Sequence, residues 1–346
     1  MAAAVAGGVT SIACPPDTDP PLDEPGLVEM LKHRAKSLNQ AHVYPVGALT
    51  QGLQGERLTE MAELNDAGCM VFGQVDGLLQ NLRILMQAMR YASTFGFSVW
   101  LCPQENSLTG DGVAHDGEVA MRLGLPVIPV CAETVAISNI VLLARETGVN
   151  VHLCRVSSAE GLTMIRAARQ QGLSMTCDVS INHLHLSDMD IGYFDSNCHL
   201  MPPLRGFSDR DALRTGLLDG TIDAICSDHA PVDEDAKLLP FGQSDIGATG
   251  VELLLPLALK WGMEMRVPLP RVLANITSEP AKILGIERGH LSVGSSADVC
   301  IFDPDAYWTV TPASIHSQGK NTPFMGMELP GRVQYTLVNG QIVFQR

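Results

Sequence analysis

Basic charge is scarce in this chain of 346 residues: 23 Lys and Arg stand against 38 Asp and Glu, a net charge of −15 with a pI near 5. A surface so acidic, with no basic cluster, fits neither nucleic acid nor an anionic membrane. Long apolar runs are also missing. The longest, 251–259, is interrupted by Glu252 and Pro256 and falls far short of the roughly 20 residues that cross a bilayer. Met1-Ala2-Ala3-Ala4-Val5 lacks the basic flank and extended apolar stretch of a secretory signal. Paired cysteines are absent too. The nine (Cys14, Cys69, Cys102, Cys131, Cys154, Cys177, Cys198, Cys226 and Cys300) include no C-x-x-C and are odd in number, which argues against a disulfide framework or a zinc ribbon. Most sit in apolar surroundings and read as small hydrophobes packed in strands. A reduced, cytoplasmic protein is expected. With 46% hydrophobic residues and no biased tract, wholesale disorder is excluded.

What is present is alternation. Short apolar runs at 9–14, 42–49, 69–72, 97–102, 149–156, 173–179 and 221–226 read as strands. Between them, 26–39, 79–95, 134–147, 158–171 and 209–218 carry helical patterns, several ending in a glycine such as Gly96, Gly148 or Gly172. Such alternation, with strands apolar on both faces, predicts parallel βαβ units. Seven strands are one short of a closed (β/α)8 barrel. The small-residue stretch 2–8 reads as the tail of a helix whose preceding strand is not in the chain. Past the seventh strand, 250–261 and 269–284 read as helices. Short β runs follow at 298–302 and 307–310, then a hairpin, 333–337 with 341–344, across Asn339-Gly340. The expected organisation is a TIM-type barrel over residues 1–290 and the C-terminal part of a composite β domain over 291–346.

Ser227-Asp228-His229-Ala230-Pro231 stands at the C-terminal end of the last barrel strand, where barrel enzymes keep their chemistry. Its company makes it specific: Cys14-Pro15-Pro16-Asp17-Thr18-Asp19, the segment from Cys177 to Asn182-His183, Pro202-Pro203-Leu204-Arg205, Gly294-x-x-Ala297-Asp298, and Lys320-Asn321-Thr322-Pro323-Phe324. With these motifs in this order, from Ala2 to Phe344, the sequence resembles the dihydroorotase branch of the amidohydrolase superfamily.

The resemblance implies an amidohydrolase barrel, and in active members a cyclic amide hydrolysed or formed with one or two Zn²⁺ at its mouth. The family's ligands are a His-x-His on the first strand, a carboxylate after the fourth, single histidines after the fifth and sixth, and an Asp after the eighth. Zinc lowers the pKa of bound water from 15.7 to about 7, and the Asp shuttles its proton. Matched to this chain, the His-x-His falls upstream of Met1. The fourth-strand carboxylate has only Asp76 nearby, which reads as a turn residue before Gly77. The fifth-strand histidine position falls at Cys102 and the sixth-strand position is Arg155; Asp228 alone corresponds. A guanidinium has no lone pair to offer. Placed about 4 Å from a divalent ion, it would be repelled by roughly 8 kcal/mol at an effective dielectric of about 20. Arg155 is therefore expected to reach toward Asp228, its charge in the metal's place.

The family's substrate-binding positions are altered as well. An Asn-Thr-Asn reads Asp17-Thr18-Asp19, an Asn before the Pro-Pro is Met201, and a second His after Ala-Pro is Val232. His183 is kept. Acids in place of amides would repel a dicarboxylate. The expectation is no catalytic residue, no bound metal or other cofactor, vestigial metal positions at Cys102, Arg155 and Asp228, and vestigial substrate positions at Asp17, Asp19, His183, Met201 and Val232. His183-Leu184-His185 could imitate a metal pair if it lay on a strand. His152 and Cys154 read as packing residues on the helix side. Cys102 could serve as a soft ligand or nucleophile, with Arg155 as its one candidate activator. The acidic stretch 233–235 reads as a solvated turn. The resemblance extends to the non-catalytic dihydroorotase-like subunit of bacterial aspartate carbamoyltransferase, which implies the catalytic chain of that enzyme as partner and self-association in a large hetero-oligomer. The alternative is an active zinc-dependent dihydroorotase, or another cyclic amidohydrolase, with a rebuilt metal site.

Overall fold

Seven short strands, taken in chain order, form one curled parallel sheet. The computed structural model describes residues 1–74 and 79–346. The strands are β1 (Ser11–Cys14), β2 (His42–Ala48), β3 (Val71–Gln74), β4 (Ser98–Leu101), β5 (Asn150–Leu153), β6 (Met175–Ser180) and β7 (Ala224–Cys226). Every neighbouring pair is parallel, and each strand coincides with one of the seven apolar runs. Among the described residues β1 and β7 are the two edges of this half-barrel. Asp76 lies outside the described residues.

Helices line the outer face: α2 (Pro25–Leu38), α3 (Met61–Ala67), α4 (Leu82–Phe95), α5 (Cys131–Thr147), α6 (Ala159–Gln170) and α7 (Phe207–Asp219), after a short α1 (Ala2–Ala6). Phe72, Leu101, Leu153 and Val179 of the sheet pack there against Leu85, Met89, Ile137 and Ile165. Gly96 and Gly148 end α4 and α5 with φ of 75° and 68°, the left-handed turn a side chain would strain. On the inner face Ala13, Tyr44, Val46, Val71 and Trp100 meet Leu284 and Ile286 and fill the barrel floor. This leaves the polar residues at the strands' C-terminal ends above a packed base.

Two stretches depart from the sequence reading. The single helix expected over 269–284 is two, α9 (Leu269–Ala274) and α10 (Ser278–Leu284), following α8 (Leu254–Met265). Pro280 has no N–H to continue a helix through 276. The break also lets Asn275 cap β7: its carbonyl accepts from Ile225 N at 2.9 Å and its Nδ2 donates to Asp223 O at 3.1 Å. The second stretch lies between β4 and α5. There two-residue strands, Ala114–His115 and Val127–Ile128, pair in parallel beside the short helices Asn106–Thr109 and Glu118–Leu123. Elements this short carry no readable period. Buried Arg205 holds them from below, donating to Ile128 O at 2.8 Å and Ser157 Oγ at 3.2 Å.

The C-terminal residues form an antiparallel sheet of β8 (Val299–Thr309), β9 (Glu328–Val338) and β10 (Gln341–Gln345). The two runs expected at 298–310 are one strand, with an irregularity between Asp303 and Tyr307. Asn339 and Gly340 turn the hairpin with φ of 50° and 77°, the positive pair such turns require. Helix α1 seats on this sheet: Ala3, Ala4 and Val5 pack with Val251, Val343 and Phe344. Thr336 Oγ1 donates to Val5 O at 2.7 Å, across 331 residues of chain. Among the described residues no helix is long and apolar enough to cross a membrane.

His185 gives the fold a pH dependence. Its Nε2 donates to Leu257 O at 2.9 Å, and burial pushes its pKa from 6.5 down to about 4. Between those values the unfolded chain takes up a proton that the folded chain refuses. The stabilising effect is therefore full above pH 6.5 and is lost as pH falls toward 4, by at most about 3 kcal/mol. Burial lowers His183 and His199 in the same direction. Thermal midpoints measured from pH 7 to 4 are expected to fall, and less steeply for His185→Gln; parallel curves would refute the assignment to His185.

Candidate functional site

Arg155 is the hub of the barrel mouth. It follows β5 with φ of 56°, and Asp228 follows β7 with φ of 46°. Left-handed backbone at a non-glycine residue costs on the order of 1–3 kcal/mol, so contacts around both must hold them. They do. Arg155 Nη1 donates to Asp228 Oδ1 at 3.2 Å and to Met201 O at 3.1 Å, and Nη2 donates to Cys102 Sγ at 3.0 Å. Its backbone N–H donates to Asp178 Oδ1 at 2.8 Å. The other Asp228 oxygen accepts from Ser180 Oγ at 2.9 Å.

The positive φ corrects one expectation. Strict alternation put His152 and Cys154 on the helix side once Arg155 faced inward. The left-handed turn breaks the alternation, and all three converge on the interior. His152 stacks obliquely on Trp100 of the floor, ring centroids 4.8 Å apart. Its Nε2 meets Asp178 Oδ2 at 2.9 Å and its Nδ1 meets Thr176 Oγ1 at 2.8 Å. Burial pushes the Asp178 carboxyl up, but the hydrogen bonds from His152, the Arg155 amide and Cys226 outweigh it and hold the group ionised.

Cys102 and Cys154 sit side by side at the ends of β4 and β5. A hydrogen bond from Cys154 draws the Cys102 thiol down to about 6; burial opposes this and the Arg155 cation assists. The same bond, with burial, drives Cys154 well up. Of the cysteines expected as buried strand hydrophobes, Cys177 is buried in β6, while Cys69 and Cys198 are buried outside strands; five are half-buried and Cys131 is exposed.

The other sequence-derived positions divide. Met201 is in the site, through its carbonyl. His183 is buried close by, Nε2 donating to Pro203 O at 3.2 Å, and burial lowers its pKa while Asp228 raises it. Asp17 and Asp19 are exposed in the loop after β1. Val232 is half-buried, its N–H donating to Asn321 Oδ1 at 3.1 Å. The pair His183 and His185 is not on a strand: residues 182–184 form a 3₁₀ turn, which sends the two rings to different carbonyls, Pro203 and Leu257. Residues 233–235 are exposed, as expected of a solvated turn.

Zinc does not fit the position between Cys102, Arg155 and Asp228. Arg155 supplies only N–H donors, and both other groups are already bonded to it. Deeper down, His152, Cys154 and Asp178 have ligand atoms within 4.8 Å of one another, but next to the same guanidinium.

Comparison with known proteins places this geometry. Residues 1–161 match the dihydro-orotase-like family and residues 113–344 the amidohydrolase family. A dihydroorotase-like protein of Pseudomonas putida is 45% identical over 340 residues, covering 98% of this chain and 80% of its own. The chain belongs to the dihydroorotase-like amidohydrolases. A dihydroorotase of Geobacter sp. is 39% identical, covering 99% of this chain and 80% of its own. Among solved structures, the L-hydantoinase (dihydropyrimidinase) of Arthrobacter aurescens superposes with a TM-score of 0.88 at 25% identity, over 99% of this chain and 79% of that one.

Sequence reasoning passed over Asp178, Ser180 and Cys226 in this site. Asp178 and Ser180 lie two residues apart in β6 and so share a face; two polar groups on one face of a buried strand were the available signal.

Proposed function

We propose that this chain is a dihydroorotase-like barrel that does not perform metal-dependent hydrolysis and instead serves as a structural subunit. The observation carrying the reading is the Arg155–Asp228 ion pair. It puts a permanent cation at the family's sixth-strand ligand position and engages the family's acid/base carboxylate. The exposed Asp17 and Asp19 support it, since acids at the mouth disfavour an anionic dicarboxylate. In the resemblance drawn above, barrels without these ligands hold the catalytic chain of aspartate carbamoyltransferase in a hetero-oligomer, and we assign the same class of partner here.

A second reading, an active zinc-dependent amidohydrolase with a rebuilt site, draws on His152, Cys154 and Asp178 and their 4.8 Å spacing. One preparation separates the two. The structural reading expects no stoichiometric zinc after expression in zinc-supplemented medium, no zinc-dependent hydrolysis of dihydroorotate, and co-elution with the transcarbamoylase catalytic chain on size exclusion. Stoichiometric zinc with metal-dependent turnover establishes the enzyme. A chain that elutes alone removes the partner.

A further inference from the structure

We propose that Cys102 and Cys154 form a peroxide-oxidisable dithiol that closes to a disulfide between β4 and β5. Leu101 pairs with Leu153, and Cys154 N donates to Leu101 O at 2.9 Å, so the two cysteines follow in register on adjacent parallel strands. Neighbouring strands run about 4.8 Å apart, inside the Cα separation of about 4.4–6.8 Å that a disulfide spans. Both cysteines also line one small cavity, so their side chains lie on the same side of the two strands.

The surroundings give the two sulfurs different roles. Cys102 Sγ accepts from Arg155 Nη2 at 3.0 Å, a fixed cation that stabilises a thiolate. Cys154 is the thiol partner. Burial and the nearby carboxylates of Asp178 and Asp228 hold the third sulfur, Cys226, as a thiol. A cavity of about 20 Å³, lined by Cys102, Cys154, Arg155, Gln104, Met201 and Pro202, adjoins the pair. It holds little more than one water-sized molecule. Gln104 and Met201 also line a larger cleft of about 560 Å³ that leads outward. The fitting oxidant is hydrogen peroxide rather than a bulky organic hydroperoxide.

The chemistry balances in two steps. Cys102 thiolate attacks one peroxide oxygen, the O–O bond breaks, and the departing hydroxide takes a proton from solvent, leaving a sulfenic acid and water. Cys154 sulfur then attacks the sulfenic sulfur; the S–O bond breaks and hydroxide leaves as water with the Cys154 proton. The two cysteines lose two electrons and the peroxide gains them. The disulfide removes the thiolate from Arg155 and leaves the guanidinium to Asp228 and Met201 O.

The test reads sulfur, so it is independent of whether the barrel hydrolyses or assembles. The reduced full chain is treated with one equivalent of hydrogen peroxide, alkylated, digested and mapped by mass spectrometry. The expected result is a loss of about two of the nine thiols as a Cys102–Cys154 cross-linked peptide, reversed by dithiothreitol. Cumene hydroperoxide should leave the pair reduced. In Cys154→Ser, dimedone should trap a sulfenic acid on Cys102. Recovery of Cys102 and Cys154 both alkylated while exposed Cys131 is oxidised would overturn the proposal, as would a stable Cys102 sulfenic acid in the unaltered chain.

Discussion

Arg155→Met is expected to lower stability by about 3 kcal/mol, the lower end of the cost of breaking a buried ion pair. The lower end applies because the Arg155 side chain is 24% exposed and that of Asp228 12%. Methionine fills the volume and takes the donors away. Asp228 Oδ1, the Met201 carbonyl and the Cys102 sulfur each lose their bond, and the Asp228 carboxylate is left without its paired cation. Asp228→Asn should cost less, since Ser180 still bonds the amide oxygen. The double variant should recover part of the loss, because it removes both charges together. Urea unfolding of the four proteins measures the coupling. An Arg155→Met variant within 0.5 kcal/mol of the parent would mean that the pair is only a surface contact.

Glu133→Ala is expected to cost at least as much. The Glu133 carboxylate, 3% exposed at the start of α5, accepts four hydrogen bonds. Ser157 N and Oγ reach one oxygen at 2.8 and 2.5 Å; Ser158 N and Oγ reach the other at 3.0 and 2.5 Å. Alanine leaves four donors buried, at roughly 1–3 kcal/mol each where water cannot replace the carboxylate. These serines directly follow Arg155 and Val156, so the loss also releases the left-handed turn that aims the guanidinium. A loss of about 4 kcal/mol in urea unfolding, with faster alkylation of Cys102, is the expected outcome. Unchanged alkylation would show that the turn holds itself. Glu133→Gln keeps one acceptor oxygen and should fall between.

The parallel strands were legible because both faces are buried, so each is an unbroken apolar run between turn residues. The hairpin was legible from Asn339-Gly340 between two apolar runs. Arg155 stood out because a donor-only side chain falls where the family resemblance implies a ligand. What stayed hidden depended on conformation. Placing His152 and Cys154 needed the φ of a single residue, since the left-handed turn at Arg155 lets it share their inward face. The nearness of Cys102 and Cys154 needed the register of two strands separated by the 103–130 excursion and α5. The break before α10 was within reach, because Pro280 forbids a continuous helix through 276, but the role of Asn275 as the cap of β7 was not.

The seat of α1 on the C-terminal sheet orders events during synthesis. Val5 meets Thr336 only after the intervening chain has left the ribosome, and at 5–20 residues per second that takes roughly 15–70 s. For that interval Ala3, Ala4 and Val5 have no sheet to cover them, while the strands between emerge and pair in order. Residues 3–5 are thus packed later than the strands translated after them, and they wait for the hairpin of β9 and β10.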